Sequence, residues 1–256
     1  MNLTGASALV IGGAGGFGEA TVRTFVEAGL KVVIADVADE KGKMLSDELG
    51  ESAEYVHTDV TSDEAIDQAI DRAQALAPLR VAVVVNGGPG GTPRRIVSRS
   101  GDPLPMAEFI QTTEYYYIAT YRAVSRTAAA MSRNEPLADN QRGVVITTAS
   151  IAGFEGQVGQ TAYAMAKGGV IGLTITAARD LAPAGIRVMS IAPGTFLTPA
   201  YNMTEEEANA KWGPGVPNPK RMGRPSEYAH LALGIAENDY LNGTVIRIDG
   251  ALRFSP

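Results

Sequence analysis

The sequence predicts an α/β fold: a doubly wound, seven-stranded parallel sheet with helices on both faces, in a single domain over residues 1–256. Three observations lead there. Short Val- and Ile-rich runs alternate with helical stretches along the whole chain, the pattern of strand–crossover–strand units in a parallel sheet. Those runs mostly lack period-two alternation of apolar and polar residues, as expected of strands covered on both faces. A glycine-rich turn, Gly12-Gly13-Ala14-Gly15-Gly16-Phe17-Gly18, joins the first run to the first helical stretch.

Ser7–Ile11, Lys31–Asp36, Ala53–His57, Val81–Asn86, Val144–Thr148, Ile186–Ala192 and Val245–Asp249 are the predicted strands. Between them, Gly18–Ala28, Glu40–Leu49, Asp63–Ala77, Met106–Ser132, Tyr163–Leu181 and Ser226–Ala236 read as helices. The third of these is introduced by Thr61–Glu64, whose Thr-x-x-Glu spacing is that of a capping box satisfying exposed amides at a helix start. Two stretches break the alternation. Residues 87–105 combine five glycines and four prolines with Arg94, Arg95 and Arg99; residues 193–225 are proline-rich and hold one short helical candidate, Thr204–Trp212. Both follow strands, which puts them at the carboxyl edge of the sheet, where such folds bind ligands.

Composition excludes several functions. A net charge of −6 supplies no basic field for nucleic acid or an anionic membrane surface. Without cysteine there are no disulfides, thiolate metal sites or cysteine nucleophiles, and two distant histidines, His57 and His230, are too few for a zinc alcohol dehydrogenase. The longest apolar runs fall well short of a membrane span, which takes about 20 residues. The N-terminus runs straight into a strand with no basic leader, so the expectation is a soluble cytoplasmic protein without metal, nucleic-acid or membrane partners.

The glycine turn has Gly12-x-x-x-Gly16-x-Gly18 spacing. Glycines at a strand–helix junction let the backbone turn tightly beside a pyrophosphate, while the helix start offers free amides and the positive end of its dipole. This is the signature of a Rossmann dinucleotide site. Asp36 ends the second strand, eighteen residues after Gly18. A carboxylate there accepts hydrogen bonds from the ribose hydroxyls of NAD and repels the 2′-phosphate of NADP. With no Arg or Lys in the glycine loop or just after Asp36, NAD is the expected cofactor. Asp59-Val60 and Asn86-Gly87-Gly88 follow the third and fourth strands and outline the same groove.

Chemistry is expected further along. Ser150 closes the fifth strand, and Tyr163 and Lys167 lie four residues apart on one helix face. A free tyrosine, with a pKa of about 10, is a poor base; bringing it near neutrality takes roughly 4 kcal/mol of differential stabilisation, which a neighbouring ammonium and a positive nicotinamide supply. Tyr163 then takes the proton of a secondary alcohol as hydride leaves carbon, Ser150 hydrogen-bonds the substrate oxygen, and Lys167 also holds the nicotinamide ribose.

These residues together resemble the short-chain dehydrogenase/reductase family, and the resemblance spans essentially the whole chain. Segments such as SIAGFEGQVGQTAYAMAKGG, ARDLAPAGIRVMSIAPGTF and LNGTVIRIDGALR are similar to its type II 3-hydroxyacyl-CoA dehydrogenase branch. The resemblance implies NAD(H), a homotetramer paired through the long helices, and a 3-hydroxyacyl-CoA or hydroxysteroid substrate. It implies cofactor contacts along Gly12, Gly15, Gly16, Phe17, Gly18, Asp36, Asp59, Val60, Asn86, Gly87, Gly88, Pro193, Phe196 and Thr198, with Tyr163 and Lys167 shared between cofactor and catalysis. Phe154 and Gln157, just after Ser150, join Ser150 and Tyr163 as expected substrate residues, and Met203 and Trp212 are candidates for an apolar lid.

The sequence departs from the family pattern at four places. Ile11 stands where a threonine is usual, Gly15 where a hydroxyl residue is common, and Gly87-Gly88-Pro89 where Ala-Gly is favoured. The family's helix asparagine, which holds a relay water beside the lysine, falls at Tyr116, within Glu114-Tyr115-Tyr116-Tyr117. The three tyrosines read as packing residues of a long helix. Three functions stay open: a 3-hydroxyacyl-CoA dehydrogenase, a hydroxysteroid or other bulky-alcohol dehydrogenase, and an NAD-binding regulatory or scaffold protein with weakened catalysis. Arg94, Arg95 and Arg99, or Lys220, Arg221 and Arg224, are candidate contacts for coenzyme A phosphates.

Overall fold

The structure, a computed structural model, describes residues 1–85, 93–199 and 203–255. Among these, strands β1 (Ser7–Ile11), β2 (Lys31–Asp36), β3 (Ala53–His57), β4 (Leu79–Val84), β5 (Gly143–Thr148), β6 (Ile186–Pro193) and β7 (Val245–Ile248) form one sheet. Every pairing is parallel, in the order β3-β2-β1-β4-β5-β6-β7. The chain starts at β1, builds outward to β3, then returns to lay β4 on the other side of β1. Crossovers therefore leave in opposite directions at β1 and β4, and a crevice opens at their carboxyl ends. Ile11 pairs with both Ala35 and Val84, so the ends of β2, β1 and β4 are level and their following loops face one groove.

The helices are α1 (Gly16–Glu27), α2 (Asp39–Leu49), α3 (Asp63–Leu76), α4 (Met106–Thr113), α5 (Ala119–Met131), α6 (Thr161–Leu181), α7 (Glu205–Trp212) and α8 (Pro225–Glu237). Strand residues alternate between two cores. Ala8 and Val10 of β1 pack with Val22 and Phe25 of α1 and with Tyr228 and Ala232 of α8. Leu9 and Ile11 point the other way, to Ile66 and Ile70 of α3 and Met131 of α5. Both faces of β1 are thus dry, which is why its sequence shows no polar alternation. None of the helices in the described residues is long and apolar enough to cross a membrane.

Three local readings change. The strand expected from Val81 starts at Leu79, because Arg80 belongs to it: its buried guanidinium donates to the carbonyls of Glu135 and Arg142, satisfying a charge that looked like a strand boundary. The cap of α3 is Ser62, whose hydroxyl accepts from the Ala65 amide, while the Thr61 hydroxyl turns back to Asp59. The long helix expected over Met106–Ser132 is α4 and α5 joined by a π-helical turn, Glu114–Ile118. A single wide turn keeps both flanking helices periodic, so apolar spacing does not reveal it.

Leu9 is fully buried whereas Met44 is 71% exposed. Leu9→Ala is expected to lower unfolding free energy by about 3 kcal/mol and Met44→Ala by less than about 0.5 kcal/mol, read from urea denaturation midpoints.

Candidate active site

A groove of about 1100 Å³ runs along the carboxyl ends of the strands, from the Asp36–Asp59 edge to Lys167. Its floor at the switch point is the glycine turn. Gly16 has φ +45° and faces the Thr198 side chain, so a Cβ there would meet strain as well as that neighbour. A Cβ at Gly18 would collide with the Gly12 carbonyl, which fixes the close packing of α1 on the turn. Gly15, the residue before α1, offers no side-chain cap, and α1 therefore begins with uncapped amides at the groove. A cradle of this shape, closed to side chains and lined by helix-start donors, fits the pyrophosphate of a dinucleotide.

Asp36 closes the outer end. Its two carboxylate oxygens accept from the Ala14 amide at 2.9 Å and the Ala38 amide at 3.0 Å, which ties β2 to the glycine turn. Arg23 and Lys41 also line this end. Neither is in the glycine loop, and Arg23 is committed: its guanidinium makes a two-pronged pair with Glu48 and a further bond to Glu19. Asp59 and Val60 line the groove with Thr58; hydrogen bonds from the Thr61 amide and hydroxyl hold the Asp59 carboxyl below the usual carboxylate range. Asn86, Gly87 and Gly88 lie outside the described residues.

The end of β6 and the loop after it form the opposite wall through Pro193, Gly194 and Thr198. Gly18 and Phe196 are not on the groove surface. Gly18 is buried beneath the turn, and Phe196 meets the Phe17 ring edge-on at 5.0 Å from behind. Both pack against groove-lining residues rather than lining the groove themselves.

Ser150, Tyr163 and Lys167 come together at the inner end. Ser150 lies two residues beyond β5 in extended conformation, its hydroxyl accepting from the Ala152 amide at 3.1 Å. Tyr163 and Lys167 share the groove-facing side of α6. Lys167 is 3% exposed and donates to the Thr148 carbonyl at 2.7 Å; burial brings its pKa down to about 7. Nearby, the Tyr116 ring meets the Tyr163 ring edge-on at 5.0 Å and lies 5.1 Å from the Lys167 ammonium. Tyr115 and Tyr116 therefore belong to the groove wall instead of the helix packing expected for them, and Tyr117 is exposed. The π-helical turn carries both rings to this place, so no periodic signal could have found them. This set holds a proton acceptor, a cation beside it and a hydroxyl, which is chemistry for proton transfer at an alcohol oxygen.

Phe154 and Gln157 are not among the groove-lining residues. Phe154 is half exposed beneath the Arg247 guanidinium, 5.1 Å from its ring centre, and the backbone N–H of Gln157 donates to the Gln160 side-chain oxygen. Met203 and Trp212 likewise do not line it. Arg94 is exposed and paired with Glu108 at 3.2 Å.

Comparison with known proteins gives a consistent set. Residues 6–209 match the family described as short chain dehydrogenase. The chain is 41% identical to 3-hydroxyacyl-CoA dehydrogenase type-2 of Bos taurus over 256 residues, covering 100% of this chain and 98% of the relative. It is 35% identical to 3-alpha-(or 20-beta)-hydroxysteroid dehydrogenase of Mycobacterium tuberculosis, over 97% of this chain and 89% of that one. Among solved structures, 3-hydroxyacyl-CoA dehydrogenase type-2 from Mycobacterium avium superposes with a TM-score of 0.96 at 54% identity, covering 98% and 97% of the two chains. A 7 alpha-hydroxysteroid dehydrogenase complexed with NADH and 7-oxo glycochenodeoxycholic acid superposes with a TM-score of 0.84 at 28% identity, covering 98% and 95%.

A buried lysine with a lowered pKa works against stability while it is charged. The cost is fully present below about pH 7 and is relieved as pH rises from there towards 10.5, the value of the unfolded chain. Lys167→Met is expected to melt above the wild type at pH 6, with the gap narrowing steadily above pH 7; a gap independent of pH would count against a buried ammonium.

Proposed function

Because the chain belongs to the short-chain dehydrogenase family, we propose that its groove binds NAD(H) and that its substrate is a 3-hydroxyacyl-CoA/3-ketoacyl-CoA pair. The observation that carries the reading is the convergence of Ser150, Tyr163 and the buried Lys167 at the inner end of a groove whose other end is a glycine cradle and Asp36. A nicotinamide bound in that groove supplies the hydride acceptor. Tyr163 takes the proton from the alcohol oxygen, and Ser150 donates a hydrogen bond to the same oxygen as it becomes a carbonyl. Lys167, when charged, favours the Tyr163 phenolate, its ammonium lying 5.8 Å from the centre of that ring. With a pKa near 7 it is able to hold or release a proton at neutral pH.

Two features support NAD over NADP: the Asp36 carboxylate at the ribose end, and the commitment of Arg23 to Glu19 and Glu48. The thioester assignment is supported by full-length identities of 41% and 54% to proteins named 3-hydroxyacyl-CoA dehydrogenase type-2. A hydroxysteroid is the second reading, favoured by the two relatives named hydroxysteroid dehydrogenase. We further propose self-association into a homotetramer, supported by exposed Met106, Ile110, Ile118 and Tyr121 along α4–α5 and Met165 and Ile175 on α6.

Turnover is followed as NADH absorbance with acetoacetyl-CoA as acceptor, with a bulky ketosteroid in parallel. The expected result is oxidation with acetoacetyl-CoA and a drop of about 10²- to 10⁴-fold in kcat for Tyr163→Phe. Turnover of the steroid alone would replace the thioester assignment with the second reading. Asp36→Asn is expected to narrow the preference for NADH over NADPH, as measured by kcat/KM for each. In solution, light scattering should give about four times 26.8 kDa; a mass of one subunit would refute the tetramer.

A further inference from the structure

Tyr228 is wholly removed from solvent, and its phenol takes no part in the chemistry above. It lies on α8, outside the groove, between the glycine turn and the end of β5. Its ring stacks on Phe17, with centroids 4.5 Å apart and planes inclined by 28°. Phe17, in the first turn of α1, lines the groove on its other side.

At the far end of the ring, the Tyr228 hydroxyl is 2.7 Å from the Thr148 hydroxyl. Their roles follow from counting protons. Thr148 has one hydroxyl proton and gives it to the Val84 carbonyl at 2.8 Å, so Tyr228 is the donor between the two. Burial pushes the Tyr228 pKa up, which keeps that proton in place. The carbonyl of the same Thr148 accepts from Lys167. A continuous series of contacts therefore runs from the glycine turn to the lysine: ring on ring, hydroxyl to hydroxyl, carbonyl to ammonium. Thr148 is buried as well, so solvent is poorly placed to replace a lost partner.

We propose that Tyr228 is a positioning residue with two separable parts: its ring braces Phe17 and the cofactor turn, and its hydroxyl fixes Thr148 and, through the Thr148 carbonyl, Lys167. The proposal rests on Lys167 belonging to the catalytic set.

The test compares Tyr228→Phe, Tyr228→Leu, Thr148→Val and Thr148→Ser with the wild type, each first checked for folding by its melting temperature. NADH affinity is read from NADH fluorescence, and kcat from NADH oxidation with acetoacetyl-CoA. Tyr228→Phe keeps the ring: it should bind NADH like the wild type, with kcat lower by about three- to tenfold. Thr148→Val should show the same loss, and Thr148→Ser should recover it. Tyr228→Leu should in addition weaken NADH binding by about threefold or more. Wild-type kcat in both Tyr228→Phe and Thr148→Val would overturn the proposal while leaving the dehydrogenase reading intact. If the wild type binds NADH but reduces no ketone, the substrate reading has failed. NADH affinity then decides here: equal values for Tyr228→Phe and Tyr228→Leu overturn the bracing role, and unequal values support it.

Discussion

An ammonium taken out of water must be given partners, and much of the inner site is arranged by that requirement at Lys167. The cost of desolvation is visible in its lowered pKa. Compensation comes from the Thr148 carbonyl and the faces of two tyrosine rings, with no carboxylate among these partners. A carboxylate would have held the lysine permanently charged. Carbonyl and ring partners are weaker, and they leave its protonation free to respond to what binds in the groove.

The same reasoning orders the outer end. Asp36 is placed by the end of β2, but the two amides it accepts come from either side of it in space: one from the glycine turn and one from the chain entering α2. It therefore has a structural duty before any ligand arrives, joining the glycine turn to the start of α2. Arg23 shows the converse arrangement, a cation at the groove edge whose charge is spent on Glu19 and Glu48.

The parallel sheet and the approximate extent of its strands were legible because burial on both faces of a parallel strand leaves a continuous apolar run, and β1, β2 and β3 match their expected limits. Ser150, Tyr163, Lys167 and Asp36 were legible because each lies at a strand end or at i, i+4 on a helix, positions that sequence spacing defines. What was not legible depends on contacts between distant segments. Arg80 is a strand residue because Glu135 and Arg142 offer carbonyls. Phe154 follows Ser150 closely, yet Arg247, 93 residues further along, draws it out of the groove lining. Tyr228 bonds Thr148 across 80 residues.

The π-helical turn between α4 and α5 has a geometric consequence. An α-helix advances by about 100° per residue, so one residue more or fewer in a turn rotates everything beyond it by that angle. Restoring regular winding at Glu114–Ile118 by deleting a single residue would swing Tyr116 off its bearing on Tyr163 and turn the apolar side of α4, with Met106 and Ile110, out of line with Tyr121 on α5. The inner wall of the groove and the outer apolar face are thus geared to each other, and the length of this segment sets the bearing of both.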